Sequence, residues 1–242
     1  MASVGTLRPV GLRRRLPLAL GLFEQAPPMK QILVFGDSLS WGIVPGTRAR
    51  LPFHQRWPGV LEAALIDMGL SARVFEDCLN GRRTTTDDPV RKGRNGLLSV
   101  SRAIEANSPL DLIVVLLGTN DFQVTPAFNA AEAANGVAQL VQEMRSTPIE
   151  PGMIIPPILV IAPPPVHEPK GTMSEKFQGA QERCLALSEA YQAMCSKSNC
   201  EFFDAATVIA TSTVDGVHID SAHHAALGRA VANLVSAKFL GA

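Results

Sequence analysis

The chain has no surplus of either charge: 22 Lys and Arg stand against 22 Asp and Glu. That balance argues against nucleic-acid binding through a general basic field, because phosphate affinity needs clustered, excess cations. Aromatic residues are scarce, with one Tyr and two Trp, too few for a platform on which bases or sugars stack. No apolar run approaches the ~18–20 residues that cross a bilayer, so no membrane partner is expected. Cysteine is sparse as well. Cys78, Cys184, Cys195 and Cys200 form no C-x-x-C pair, and no His lies at zinc-finger spacing from them, which leaves no basis for a structural zinc site. They read as buried free thiols in a reducing compartment, the cytoplasm. Cys184 and Cys195, eleven residues apart, are expected to share one face of a helix.

What is present is a neutral, apolar chain. With 46% hydrophobic and 18% charged residues it is too apolar for a disordered segment. Its 242 residues suit one α/β domain that buries roughly 70–75% of the unfolded surface and needs no staples. The odd segment is the beginning. Arg13, Arg14 and Arg15 precede an apolar stretch from Leu16 to Phe23 that looks superficially like a secretion signal. That core is short and lacks a small-residue cleavage site. Residues 1–29 are read as an extension outside the fold, with secretion as the alternative, and 30–242 as a single domain.

From residue 31 short apolar runs alternate with longer amphipathic ones. Strands are expected at Gln31–Phe35, Ala72–Cys78, Asp111–Leu117, Ile158–Ala162 and Glu201–Asp204. Helices are expected at Trp57–Met68, Leu97–Ala106, Asn129–Met144, Ser174–Lys197 and Ala222–Phe239. Continuous apolar strands separated by helices imply a parallel sheet covered on both faces. Ligands of such sheets bind beyond the carboxyl ends of the strands. The segments there are Gly36–Gly42 (GDSLSWG), Leu79–Thr84 (LNGRRT), Gly118–Asp121 (GTND), Ala162–Pro165 (APPP) and Asp215–Asp220 (DGVHID).

Those segments hold the ingredients of acyl transfer. Ser38, on a tight strand-to-helix turn, exposes its hydroxyl as a nucleophile would, though a helix-capping serine looks the same in sequence. Of five histidines, His218 has a carboxylate, Asp215, three residues before it in one loop. Such a pair lets the carboxylate hold Nδ1 and leaves Nε2 to take a proton from serine; an Asx turn at Asp215 is the plainer reading. Gly81 offers an unshielded backbone N–H and Asn120 an amide, two donors for a substrate oxygen that gains charge. His223 and His224 fall inside the last helix pattern with no carboxylate in view. A phosphate-binding, flavodoxin-like domain is the non-enzymatic alternative. It is disfavoured by an acid and the lack of a Lys in GDSLSWG.

In order, GDSLSWG, the glycine of LNGRRT, GTND and DGVH resemble the four blocks of the SGNH, or GDSL-type, hydrolases. FGDSLSWG, RWPGVL, VVLLGTND, APPP and FFDA are closest to the bacterial arylesterase and acyltransferase branch. The resemblance spans nearly everything from residue 31 onward. It implies a flavodoxin-like three-layer α/β/α sandwich with a five-stranded parallel sheet. It implies that Ser38 is the nucleophile, that Asp215 and His218 complete a triad, and that Ser38, Gly81 and Asn120 form the oxyanion hole. It implies hydrolysis of short-chain acyl esters, small-molecule substrates, without metal or other cofactor, and possible transfer of the acyl group to alcohols. A carbohydrate deacetylase or thioesterase with the same machinery is the alternative. It also implies a homo-oligomer, with the long Val44–Arg56 loop restricting access. Trp41, Phe122 and Val124 are expected to line the substrate pocket, with Asp37 supporting the turn.

Overall fold

Along the central strands consecutive side chains are apolar and point to opposite sides, so each face of the sheet must be covered. The computed structural model describes residues 1–2 and 28–240. The expected N-terminal extension and its signal-like stretch therefore lie almost wholly outside the described residues. The elements run β1 (Lys30–Gly36), α1 (Ser38–Trp41), α2 (Trp57–Asp67), β2 (Ala72–Cys78), α3 (Val100–Asn107), β3 (Leu112–Leu116), α4 (Ala130–Ser146), β4 (Ile158–Ala162), α5 (Thr172–Lys176), α6 (Ala180–Arg183), α7 (Leu187–Ser198), β5 (Glu201–Asp204) and α8 (Ser221–Phe239). The five strands form one sheet in the order β2-β1-β3-β4-β5, every neighbouring pair parallel. That is the flavodoxin-like order, whose switch point lies between β1 and β3.

Two cores result. Leu33, Phe35, Ile113, Val115 and Val160 face α3, α4 and α7, where Ile104, Leu140 and Tyr191 are buried. Ile32, Val34, Val114, Leu159 and Ile161 face α2 and α8, where Leu61, Leu65, Val231 and Val235 are buried. Each such side chain contributes about 1.5–3 kcal/mol by leaving water, so the strand ends between the two cores are held rigidly.

All five strands fall where expected, with small shifts at their ends. β3 starts one residue late because Asp111 turns its carboxylate to the Lys30 ammonium, 3.1 Å away, and to the Gln31 N–H. α4 begins with a capping box in which Asn129 and Glu132 bond each other's backbone N–H, satisfying two orphan donors.

One helix differs. The segment 174–197 is not continuous but is broken into α5, α6 and α7. Gly179 adopts φ +69°, a left-handed conformation that ends a helix and that glycine takes without a Cβ penalty. A second turn follows at Cys184, whose thiol is buried near the Val166 carbonyl oxygen. Cys184 and Cys195 thus do not share a helix: the first caps the end of α6 and the second lies within α7. Both still enter the same core. The break lets α5 lean over the strand ends while α7 packs against the sheet.

Candidate active site

The site is assembled from the turns that follow the strands. After β1, Asp37 caps α1 by accepting the Leu39 N–H at 2.9 Å, which leaves Ser38 as the first helical residue, almost buried at 5% exposure. Neither the Ser38 nor the Gly81 backbone N–H meets a protein acceptor among the described residues. After β3, a short helical turn spans Thr119–Phe122. It presents the Asn120 amide, which donates one N–H to Asp37 at 2.9 Å and has a second N–H to give. The amide is held from behind: its Oδ1 accepts from Gln123 at 2.7 Å, and Gln123 in turn accepts from Arg83 at 2.8 Å.

After β5, the DGVH turn folds so that one carboxylate serves four donors. Asp215 Oδ1 accepts the Val217 and His218 backbone N–H groups at 3.0 and 2.9 Å. Its Oδ2 lies 2.8 Å from His218 Nδ1 and 3.1 Å from the Gly46 N–H. Burial opposes the charge on Asp215, but the bonds from the His218 ring and backbone outweigh it and hold the carboxyl well below the usual range. The carboxylate fixes Nδ1 as a donor and leaves Nε2 as the imidazole's acceptor. Ser38, Gly81, Asn120 and His218 line one crevice of about 30 Å³.

Two other carboxylates of these loops, Asp37 and Asp121, differ. Burial raises Asp37 to about 6 and Asp121 to about 6; Asp121 accepts both the N–H and the hydroxyl of Thr84. His224, six residues beyond His218, accepts the Trp57 N–H at 3.2 Å through Nδ1. It caps the start of α2 and, kept neutral by burial, has its pKa lowered to about 3.

The crevice is thus made from four of the five sequence segments singled out, all but the APPP turn. Two of the three expected pocket residues lie away from the crevice. Phe122 is turned into the core, Trp41 lies beneath the Arg50 guanidinium, 4.6 Å from its ring centre, and neither lines the crevice. Val124 lines a neighbouring groove of about 320 Å³. The apolar walls come instead from Ile43, Met173, Phe177 and Val217. Met173 and Phe177 lie at the helix break, and Gly46 lies in the long loop after α1; nothing local in the sequence marks any of them. The Val44–Arg56 loop does approach the site, through the Gly46 bond and through Arg48 at the crevice.

Residues 34–229 match the model of the GDSL-like lipase/acylhydrolase family. The chain belongs to that family. A carbohydrate acetylesterase from Sinorhizobium meliloti is 34% identical, with a TM-score of 0.82 over 87% of this chain and 100% of that one. The inhibitor-bound M. smegmatis aryl esterase is 33% identical, with a TM-score of 0.81 over 86% of this chain and 99% of that one. An arylesterase from Vibrio mimicus is 30% identical over 92 residues, 38% of the length of each protein. This GDSL-family protein is therefore an esterase, an enzyme of carboxylic ester hydrolysis, on the sandwich fold of its structural relatives. No helix among its described residues is long and apolar enough to cross a membrane.

Proposed function

We propose that this acylhydrolase cleaves short-chain aryl and alkyl esters through an acyl-serine at Ser38. The observation that carries the reading is the convergence of the Ser38 hydroxyl, three unspent N–H donors and the carboxylate-held His218 on one crevice. His218 Nε2 takes the Oγ proton as Oγ bonds to the ester carbon, and the carbonyl electron pair moves onto oxygen. The N–H groups of Ser38, Gly81 and the Asn120 amide hold that oxyanion, each such donor being worth roughly 10²–10³ in rate. Collapse breaks the bond to the alcohol oxygen, which receives the proton from Nε2. Water, deprotonated by the same nitrogen, then releases the acid and restores Ser38.

The crevice of about 30 Å³ beside Ser38 favours acetyl over longer acyl groups. Its apolar walls, Ile43, Met173, Phe177 and Val217, also favour an alcohol over water at the acyl-serine, at about 0.8 kcal/mol per buried CH₂. Transfer to alcohols therefore belongs to the proposal. Four unpaired thiols among the described residues favour a reducing compartment; a homo-oligomer in which the Val44–Arg56 loop narrows access rests on the resemblance to the arylesterase branch.

One assay tests the reading. p-Nitrophenyl esters of two to eight acyl carbons should be turned over with kcat/KM falling as the chain lengthens, and activity should vanish in Ser38→Ala. With 1 M butanol, butyl acetate should appear beside acetate at early times. Full turnover by Ser38→Ala would overturn the reading; a preference for octanoate would remove the short-chain claim, and acetate alone the transfer claim.

A further inference from the structure

Among the described residues some cations are held by the fold and others are not. Those within the fold are engaged: Arg56 with Glu76, Arg82 with Asp77, and Arg83 with Gln123 and the Thr125 carbonyl. Arg48, Arg91 and Lys176 are not. Among the described residues their side chains make no hydrogen bond and no ion pair, yet all three line the Ser38 crevice. The Lys176 ammonium has only the Phe177 ring, at 5.9 Å from its centre. The Arg91 guanidinium lies directly on Gly81: a Cβ at that glycine would come within 2.0 Å of Nη2. Asp88, which shares the groove of Arg91 and Lys176, turns its carboxylate to the backbone N–H groups of Val90 and Arg91. Burial opposes its charge, but those bonds and the Arg91 and Lys176 charges hold it below the usual carboxylate range. Burial and the proximity of Arg91 lower the Lys176 ammonium, as expected of a cation that is partly desolvated beside another.

Three like charges drawn from three separate segments repel one another, and Asp88, the carboxylate beside Arg91 and Lys176, offsets only one of them, so the mouth of the site keeps an excess of positive charge. The crevice is too small for more than a small acyl group. The rest of an ester must enter the grooves on either side. One, of about 320 Å³, is bordered by Arg91, Lys176 and Arg83 with one acid, Asp88; the other, of about 350 Å³, by Arg48 and Lys170 with Asp215.

We propose that the substrate of this site is an ester whose alcohol part carries a carboxylate, received by Arg91 and Lys176 in the groove beside Gly81, with Arg48 adding to the positive field. The proposal rests on the serine-esterase reading and narrows its substrate class. It makes the enzyme selective by charge at the leaving-group side and by size at the acyl side. A guanidinium offers paired N–H donors that match a carboxylate, and the ammonium supplies a point charge.

The test compares 4-acetoxybenzoate with its methyl ester, read as the ratio of their kcat/KM values in wild type and variants, so that intrinsic reactivity cancels. Replacing both groups, Arg91→Gln with Lys176→Gln, should lower the ratio about tenfold or more, the scale of a single well-placed charge contact. Lys176→Arg should preserve it. Lys92→Gln, which removes an exposed cation of the same loop outside the crevice, should leave the ratio at the wild-type value, and 0.5 M salt should reduce it in the wild type. A ratio unchanged by the double substitution, or lowered equally by Lys92→Gln, would overturn the proposal. Failure of the underlying reading is distinct: it would appear as methyl-ester hydrolysis that survives Ser38→Ala.

Discussion

Two carboxylates, Asp37 and Asp215, lie buried in the loops beyond the strand ends, and they are driven in opposite directions. Asp37 is wholly enclosed, receives one backbone N–H and one side-chain amide, and is raised to about 6 because burial outweighs those bonds. Asp215 receives three backbone N–H groups and the imidazole, and the same competition ends the other way. The difference is the depth of burial together with the number of donors, Asp37 being fully enclosed and Asp215 partly so and bonded to the His218 ring. A carboxylate bonded on every side remains an anion that can stabilise a cation formed next to it. One with fewer donors serves as a cap and as an anchor for Asn120.

Breaking that contrast should affect activity most at Asp215. Asp215→Asn should cut kcat by about 10⁴-fold, because the amide favours the wrong imidazole tautomer and cannot stabilise the imidazolium. Asp37→Asn should cost less, bounded by about 10²–10³, since it disturbs a single oxyanion donor by setting an NH₂ against the Asn120 amide. Steady-state kinetics on p-nitrophenyl acetate separates the two; equal losses would erase the distinction.

The smaller effect concerns stability. The folded-state pKa of Asp37, about 6, lies above its unfolded value, so between roughly pH 4 and 6 the folded chain holds a proton that the unfolded chain has lost. Stability from this group is present at low pH and declines as pH rises through that window, with a slope approaching ~1 kcal/mol per pH unit. Asp37→Asn should therefore gain on the wild type in urea midpoint as pH rises from 4 to 7. At Asp215 the sign reverses: the wild type loses stability as pH falls below about 4, and Asp215→Asn should lack that loss. Parallel pH curves for wild type and both variants would contradict the assignment.

Much of this was readable before any coordinates. β1, β3 and β4 are continuous apolar runs because both of their faces are buried; the Ser38, Gly81 and Asn120 turns follow their strands closely, and in the loop before α8 the local spacing D-x-x-H determines the contact. Phe122 and Trp41 do not line the crevice because closeness in sequence to Asn120 or Ser38 says nothing of direction. Within one helical turn a shift of two residues swings the side chain from the crevice into the core. The cationic rim was hidden for another reason. Arg48, Arg91 and Lys176 come from segments that meet only once the sheet order is set and the helix breaks at Gly179. The break itself hinges on one glycine inside an otherwise helical pattern.

The central claim is that Ser38 becomes acylated with His218 as its base. The most direct measurement is active-site labelling with a fluorophosphonate followed by peptide mass spectrometry. A single phosphonyl adduct on the peptide containing Ser38, absent in Ser38→Ala and strongly slowed in His218→Ala, is the predicted result. An adduct on any other residue, or equal labelling of Ser38→Ala, would contradict it.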